Sequence, residues 1–316
     1  EKVQDIVKAD GGFTVKTDKN DYKAKFVVNA AGVNSDTVSK MVEPEFFKIT
    51  PKSGEYFLLD TTESAIVNRV VFPCPSALGK GILVSPTIHG NVIVGPDSKN
   101  VESAESTECT AKGLSGVRSG ALRLFPSVNL RASIRNFAGV RADAGLEDFI
   151  VGESKEAAGF FNMAGIKSPG LTSAPSIAKD VAKMLLEKMS DKPKANPNFA
   201  AKRKVKRFKE MNAAERADLI KENPAYGTIV CRCETVTEGE IIDALRRPIK
   251  ACSLDAIKRR CTAGMGRCQG GFCGPRVLDI IERETKSDKI HIPLDRREMF
   301  IITGKTKKED ERRVRP

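Results

Sequence analysis

Tryptophan is absent from the 316 residues, and only three tyrosines and two histidines occur. The longest uncharged stretch, Gly81 to Pro96, is interrupted by Pro86, His89 and Gly90. No run therefore reaches the roughly 18 apolar residues that a membrane helix needs. The chain opens at Glu1 without a methionine and without a basic-then-apolar leader, which leads us to expect that its natural front lies upstream. With 25 glycines, 16 prolines and no internal repeat, collagen-like, low-complexity and wholly disordered classes are excluded. What is present is an ordinary globular composition, 40% hydrophobic and 30% charged, with length for two or three domains.

Charge and cysteine are unevenly placed. Residues 1–190 carry 23 basic and 22 acidic side chains, whereas residues 191–316 carry 30 and 19, so nearly all of the +12 net charge lies in the last third. Six of the eight cysteines fall between Cys231 and Cys273. The pattern predicts residues 1–190 as one body, 191–226 as a basic linker and helix, 227–285 as a second domain and 286–316 as a tail.

The first body reads as strands with few helices. Lys25 to Gly32 has the β-branched run and small-residue end of a fully buried parallel strand, followed by a short helix from Ser35 to about Val42. Further strands are expected at Gly54–Asp60, Ile66–Phe72, Gly81–Ser85, Asn91–Gly95, Arg131–Arg141, Phe149–Gly152 and Phe160–Ala164. Helices are expected over Lys112–Leu124 and Thr172–Met189. The linker holds Pro193 and Pro197, and then Ala201 to Lys209 has six basic residues in nine. Phe208 is the only aromatic among them, so no base-stacking platform accompanies the charge, and the run reads as a solvated connector rather than a nucleic-acid site.

Cys231-Arg-Cys233 precedes Cys268-Gln-Gly-Gly-Phe-Cys273 by 34 residues. Four thiolates in two close pairs suit an iron–sulfur cluster or zinc. The Cys-x-Cys pair is tighter than structural zinc ordinarily uses, and suits two sulfurs on one iron of a [2Fe–2S] cluster, with the second pair on the other. A disulfide framework belongs to small secreted domains, for which the sequence offers no sign. Thr237-Glu-Gly-Glu240 predicts a capping box, Ser253 a second helix start and Pro275 a third. Gly264, Gly266, Gly270, Gly271 and Gly274 let backbone pass close to inorganic sulfur. Cys252 and Cys261 lie outside the ligand pattern and read as ordinary thiols, with redox activity or substitute ligation left open for Cys261.

Ile229 to Ile242 together with Ala263 to Pro275 resembles the bacterioferritin-associated-ferredoxin-like [2Fe–2S] domain. That resemblance covers about Gly227 to Ile281 and implies Cys231, Cys233, Cys268 and Cys273 as the cluster ligands. The first body resembles FAD-dependent oxidoreductases of the D-amino-acid-oxidase type. Phe26 to Asp36 looks like that family's late dinucleotide-fold strand and turn, implying FAD contacts at Ala31 and Gly32. Gly165, Ile166, Lys167, Ser168, Pro169, Gly170, Leu171 and Thr172 resemble the loop and helix start that lie against the flavin. Gly139-Val-Arg-Ala142 resembles the segment whose arginine, here Arg141, binds the substrate's anionic group. Gly54-Glu-Tyr56 and Ser85 to Pro96 look closest to glycerol-3-phosphate dehydrogenases and 2-hydroxyglutarate oxidases, and the added cluster domain points to the anaerobic glycerol-3-phosphate type. Arg141, His89 and Glu55 are the candidate catalytic residues. Read without the family, Arg141 is equally an ion-pair partner of Asp143 or Glu147, His89 a structural residue, and Gly165–Thr172 a plain helix entry.

The family begins with a strand, a Gly-x-Gly-x-x-Gly turn and a helix, and no Gly-x-Gly-x-x-Gly occurs here. The expectation is thus an α+β chain: a partial FAD-binding, D-amino-acid-oxidase-like β-sheet domain followed by a small helical [2Fe–2S] domain. Its N-terminal FAD-binding segment would be supplied upstream or by another polypeptide. The resemblance implies oxidation of sn-glycerol 3-phosphate and passage of electrons through the cluster to an electron-acceptor protein or a quinone-linked subunit, and the basic surplus of the last third suggests that such a partner is acidic. It further implies a cytoplasmic chain, with peripheral association at the inner membrane face left open. The alternatives are a 2-hydroxy-acid or amino-acid dehydrogenase, and a non-catalytic electron-transfer subunit.

Overall fold

In the computed structural model, which describes residues 1–74, 81–199, 205–296 and 298–304, the chain divides into two compact units, Glu1–Pro197 and Asn198–Pro316. The first unit opens with an antiparallel meander of β1 (Val3–Ala9), β2 (Gly12–Thr17) and β3 (Asp21–Ala24). Ala9 pairs with Gly12, so Asp10 and Gly11 form a two-residue hairpin loop with Gly11 at φ 77°. Asp-Gly is a strong local signal for such a loop, and the sequence reading passed over it.

Strand β4 (Val27–Asn29) leads through a short turn to α1 (Ser35–Ser39). It pairs parallel with β11 (Phe160–Ala164), itself antiparallel to β10 (Ile150–Glu153). The expected parallel pairing is formed, but the expected full burial is not found. β4 lies at the end of the strand order β10-β11-β4, so Val28 remains 38% exposed. Behind β4 a polar network replaces apolar packing. Asn29 donates to Asn162 Oδ1 (2.8 Å) and to the Ser35 carbonyl (2.8 Å), and Asn162 donates to Glu43 (2.8 Å). Ser39 and Ser154 also donate to Glu43, so this buried carboxyl is satisfied without a cation.

The larger sheet centres on β5 (Thr50–Leu59). One edge of β5 pairs along its length with β9 (Ser133–Asp143). The other edge pairs with β7 (Val92–Gly95) near its end and β8 (Lys99–Asn100) near its start, and β6 (Leu83–Pro86) lies outside β7. Helix α2 (Ala111–Leu124) covers this sheet, packing Val117 and Ala121 against the fully buried Leu59, Val84, Val92 and Val94. Each such side chain contributes about 1.5–3 kcal/mol by leaving water. The strand expected at Ile66–Phe72 is not formed. The segment makes a single bridge, Val71 to Val84, and sends Val67 into the core under α2 while Val70 and Phe72 stay half exposed. Helix α3 (Gly170–Lys188) closes the unit and begins two residues earlier than expected.

The second unit starts sooner than the domain boundary drawn from sequence. Phe208, Leu219 and Tyr226 form a small core, with α4 (Ala213–Glu222) capped reciprocally by Asn212 and Glu215. The Phe208 N–H donates to Glu240 (3.2 Å), so Phe208, near the end of the run read as a solvated connector, packs into this unit. Residues 200–204 of the basic run lie outside the described residues, as does the tail from 305. Strands β12 (Ile229–Cys231) and β13 (Val236–Thr237) pair antiparallel, followed by α5 (Glu238–Arg246), α6 (Leu254–Cys261) and α7 (Gly274–Thr285) around Ile241, Ile257 and Ile281. The capping box at Thr237 and Glu240 and the cap at Ser253 are formed as expected. Beyond α7 the chain makes one bridge, Pro293 to Phe300.

Glycine at position 113 is a packing requirement. A Cβ there would sit 2.2 Å from the Glu55 carboxylate, whereas one at Gly116 in the same helix meets nothing within 4 Å. Gly113→Ala is expected to lower stability by about 2 kcal/mol, and Gly116→Ala to raise it by about 0.5–1 kcal/mol. Urea denaturation of the two variants checks this, and equal midpoints would contradict the packing argument.

Candidate functional site

Two sites are built, one in each unit. In the first, the end of β9, the turn after β4 and the loop entering α3 converge on a cleft of about 390 Å³. Its walls include Gly32, Arg141 and every residue from Ile166 to Thr172. Most of the residues that sequence alone marked for cofactor contact are thus together in space, with Arg141 among them. Gly165 directly precedes this wall at φ 64°, and Ala31 lies in the turn beside Gly32.

The electrostatics of the cleft follow from strand register. Lys52 on β5 stands directly opposite Arg141, and Thr50 opposite Asp143. Lys52, Arg141 and Asp143 therefore share one face of the sheet. Asp143 is buried and accepts from Lys52, from Lys167 (2.5 Å) and from the Gly145 N–H (3.0 Å). Burial alone would raise its pKa, but the two ammonium groups and the N–H outweigh burial and hold the carboxyl well below the usual range. Among the described residues no carboxylate pairs with Arg141, whose Nη2 donates only to the Asp97 carbonyl (2.9 Å). The alternative of an Arg141–Asp143 ion pair is therefore not what the fold makes.

No acidic residue lies in the first turn of α3, and Leu171 beside it is 94% exposed. A bare apolar side chain at the positive end of a 19-residue helix, flanked by Lys167 and Arg141, fits a flat ring that carries negative charge. The remaining two candidates lie elsewhere. Glu55 is fully buried and accepts from Lys99, the Thr110 N–H (2.8 Å) and the Thr110 hydroxyl (2.8 Å). It ties β5 to β8 and to the start of α2, a structural part, and its pKa is lowered because these donors overcome burial. His89 sits exposed on the Thr87–Gly90 turn, beyond the Leu59 end of β5 and so at the opposite end of that strand from Arg141. Lys167 was read only as a cofactor contact. Its pairing with Asp143, and Asp97's hold on Arg141, depend on contacts 24 and 44 residues apart that no local pattern reveals.

In the second unit, Cys231 ends β12 and is buried, while Cys233 emerges into the turn and is exposed. Cys268 lies in the loop after α6, and Cys273 precedes the first residue of α7. The thiols pair across the two sequence motifs. Cys233 and Cys268 have their sulfurs 3.7 Å apart, and Cys231 hydrogen bonds with Cys273. Two thiolates bound at about 2.3 Å to one tetrahedral metal stand about 3.8 Å apart, so the first separation fits two ligands of one metal. Sequence spacing suggested Cys231 and Cys233 on one iron; in the structure each thiol contacts a cysteine of the second motif, because β12 ends at Cys231 and Thr235 at φ 53° turns the chain. Among the described residues no three Cys, His, Asp or Glu side chains gather for one metal ion.

The backbone supports thiolate. The bond from Cys273, then the Gly264 and Glu234 N–H groups, lower the Cys231 thiol to about 6 against the effect of burial, and Cys273 is pushed up by the same bond. The Phe272 N–H is the main cause lowering Cys268. A Cβ on Gly266 would meet Cys233 Cβ at 2.3 Å, so only glycine lets these strands of backbone close around the sulfurs. Cys261 is pushed up to about 12 by burial and donates to the Ile257 carbonyl (3.3 Å), which marks it as an inert core thiol.

Comparison with known proteins finds a family match for each unit. Residues 1–184 match the family "FAD dependent oxidoreductase", and residues 229–283 match the "BFD-like [2Fe-2S] binding domain". The chain belongs to the FAD-dependent oxidoreductases and carries a BFD-like [2Fe–2S] domain, so FAD and a [2Fe–2S] cluster are the cofactors of its two parts. A glycerol 3-phosphate dehydrogenase of Caloramator mitchellensis is 43% identical over 311 residues, 98% of this chain and 64% of that relative. The FAD-bound L-alpha-glycerophosphate oxidase of Mycoplasma pneumoniae is 30% identical with a TM-score of 0.55, covering 61% of this chain and 52% of that one. The fold also matches a glycerol-3-phosphate dehydrogenase of Bacillus halodurans, at a TM-score of 0.58 and 17% identity, over 90% of this chain and 64% of that one. The chain therefore spans about half to two thirds of the length of these relatives. Among the described residues no helix is long and apolar enough to cross a membrane.

Two outcomes test the sites. Cys268→Ser is expected to abolish the visible iron–sulfur absorbance of anaerobically purified protein, while Cys252→Ser leaves it unchanged. A colourless protein with stoichiometric zinc would refute the cluster. Because Asp143 has a depressed pKa, its stabilisation is full above about pH 4 and is lost as pH falls through its folded-state value. The stability gap between the native chain and Asp143→Asn should accordingly be constant near neutrality and shrink on acidification. A gap that widens in acid would reverse the assignment.

Proposed function

We propose that this chain takes part in oxidising sn-glycerol 3-phosphate to dihydroxyacetone phosphate, and that it passes the electrons onward through the cluster of its second unit. The observation that carries the reading is Arg141: a guanidinium on the wall of the cleft with no carboxylate partner, beside an Asp143 already occupied by two lysines. An arginine so placed offers its fork to an oxyanion, and two relatives that overlap most of this chain are named for glycerol 3-phosphate or glycerophosphate.

FAD, when bound, supplies the two-electron acceptor for hydride from the alcohol carbon, and the [2Fe–2S] cluster supplies a one-electron relay. This chain's residues do the rest. Arg141 holds the phosphate, with the Asp97 carbonyl fixing the guanidinium. Lys167, tied back by Asp143, and the dipole end of α3 keep the floor of the cleft positive. The Gly165–Thr172 loop, with Ala31 and Gly32 across from it, forms the surface that faces the ring. The four cysteines hold the relay. Arg141 suits a carboxylate as well as a phosphate, so a 2-hydroxy acid or an amino acid is the competing substrate class.

In FAD-loaded enzyme, Arg141→Ala is expected to raise KM for glycerol 3-phosphate about a hundredfold, a loss of about 2.7 kcal/mol, with Arg141→Lys recovering only part of it. Anaerobic flavin bleaching read against glycerol 3-phosphate, 2-hydroxyglutarate and glycine decides the substrate class. Bleaching by either of the latter two, but not by glycerol 3-phosphate, would overturn the assignment.

A further inference from the structure

The loops that hold the cysteines carry a surface unlike an ordinary solvated one. Arg232, between Cys231 and Cys233, is exposed, as is Cys233 itself. Phe272, between Cys268 and Cys273, is 86% exposed although its N–H points to the Cys268 sulfur. Arg276 is exposed in the first turn of α7, where no acidic residue lies and where the helix dipole disfavours a cation. From Gly264 to Arg276 the sequence holds Arg267 and Arg276 and no aspartate or glutamate. Glu234, next to Cys233, pairs with Lys209 (3.4 Å). Arg232 and Arg276 make no ion pair among the described residues. An exposed aromatic side chain on the same cysteine-bearing loops as the exposed Arg232 and next to the exposed Arg276 has the make-up of an interface centre rather than of a solvated loop.

We propose that Arg232, Phe272 and Arg276 form the docking surface for an acidic one-electron acceptor protein, which receives electrons from the cluster through the Cys233–Cys268 side. This rests on the proposed relay of electrons through the second unit. The charges steer an acidic partner in, and Phe272 packs against it within reach of the sulfurs. The chemistry is a single outer-sphere transfer. The reduced cluster loses one electron, the acceptor gains it, and no proton or bond changes hands. Charge complementarity selects an acidic protein over a basic one, and the exposed aromatic side chain selects a protein surface over bulk anion.

The test uses the full chain with its cluster reduced by dithionite and desalted anaerobically, so neither glycerol 3-phosphate nor flavin enters, and a wrong substrate assignment leaves the result intact. Acidic cytochrome b5 and basic cytochrome c serve as probes, with haem absorbance followed by stopped flow. Cytochrome b5 is expected to be reduced faster, its rate constant falling at least tenfold as ionic strength rises from low to physiological. Arg232→Glu/Arg276→Glu should slow cytochrome b5 about tenfold at low salt and quicken cytochrome c. Phe272→Ala should slow cytochrome b5 at every salt concentration. Lys221→Glu on α4 is the control for net charge and should change both rates by less than twofold. The proposal is overturned if cytochrome c is the faster probe, if the double charge reversal leaves both rates unchanged at equal cluster absorbance, or if Lys221→Glu does as much. It is also overturned, in favour of a membrane surface, if phosphatidylglycerol vesicles bind the native chain but not the double variant while cytochrome b5 rates stay equal.

Discussion

The pairing of β5 with β9 is the constraint on which the first site depends. It sets Lys52, Arg141 and Asp143 on one face within a few ångströms, two cations and one acid. A single carboxylate cannot neutralise three neighbouring cations, so the geometry of Asp143 decides which are held. It takes Lys52 from its own sheet and Lys167 from the loop before α3, and by taking both it joins the sheet to that loop. Arg141 is left with a carbonyl partner and an open fork. The cleft is thus positive beside an Asp143 already committed to two lysines.

The second unit solves a related problem with backbone instead of side chains. Thiolates are anionic, and the N–H groups of Gly264, Glu234 and Phe272 approach them where a side-chain cation would crowd the cluster. Close approach explains Gly266, which has no room for a Cβ beside Cys233. The cations of this region are displaced outward, onto Arg232 and Arg276, where they face solvent rather than sulfur. Core and rim are therefore divided by charge type: dipoles inside, full charges outside.

Glu55 and His89 illustrate how a family-like segment misleads when read residue by residue. Both sit in stretches that resemble substrate-binding flavoproteins, and neither lines the cleft. Glu55 alternates inward on β5, and once buried it must find donors, which Lys99 and Thr110 supply. His89 falls at a hairpin tip, where a side chain faces water whatever its chemistry. The Ile66–Phe72 run failed as a strand for a comparable reason. Its apolar content is real, but the core under α2 takes Val67 and Val71 individually, and only Val71 bridges to β6.

Local chemistry by itself determined the helix starts at Thr237 and Ser253, the strands with clean alternation and the glycine-rich passage around the cysteines. Each of these is set by residues within a turn or two of one another, where backbone stiffness and capping act. Only tertiary structure decided that Cys233 faces Cys268 rather than Cys231, that β4 is an edge strand, that residues 208–226 belong to the second unit and that Asp143 binds two lysines and leaves Arg141 unpaired. Those outcomes depend on contacts between segments far apart in the chain, and on which charges burial forces together. Such pairings have no periodicity to read, because each is fixed by packing around it rather than by its own neighbours.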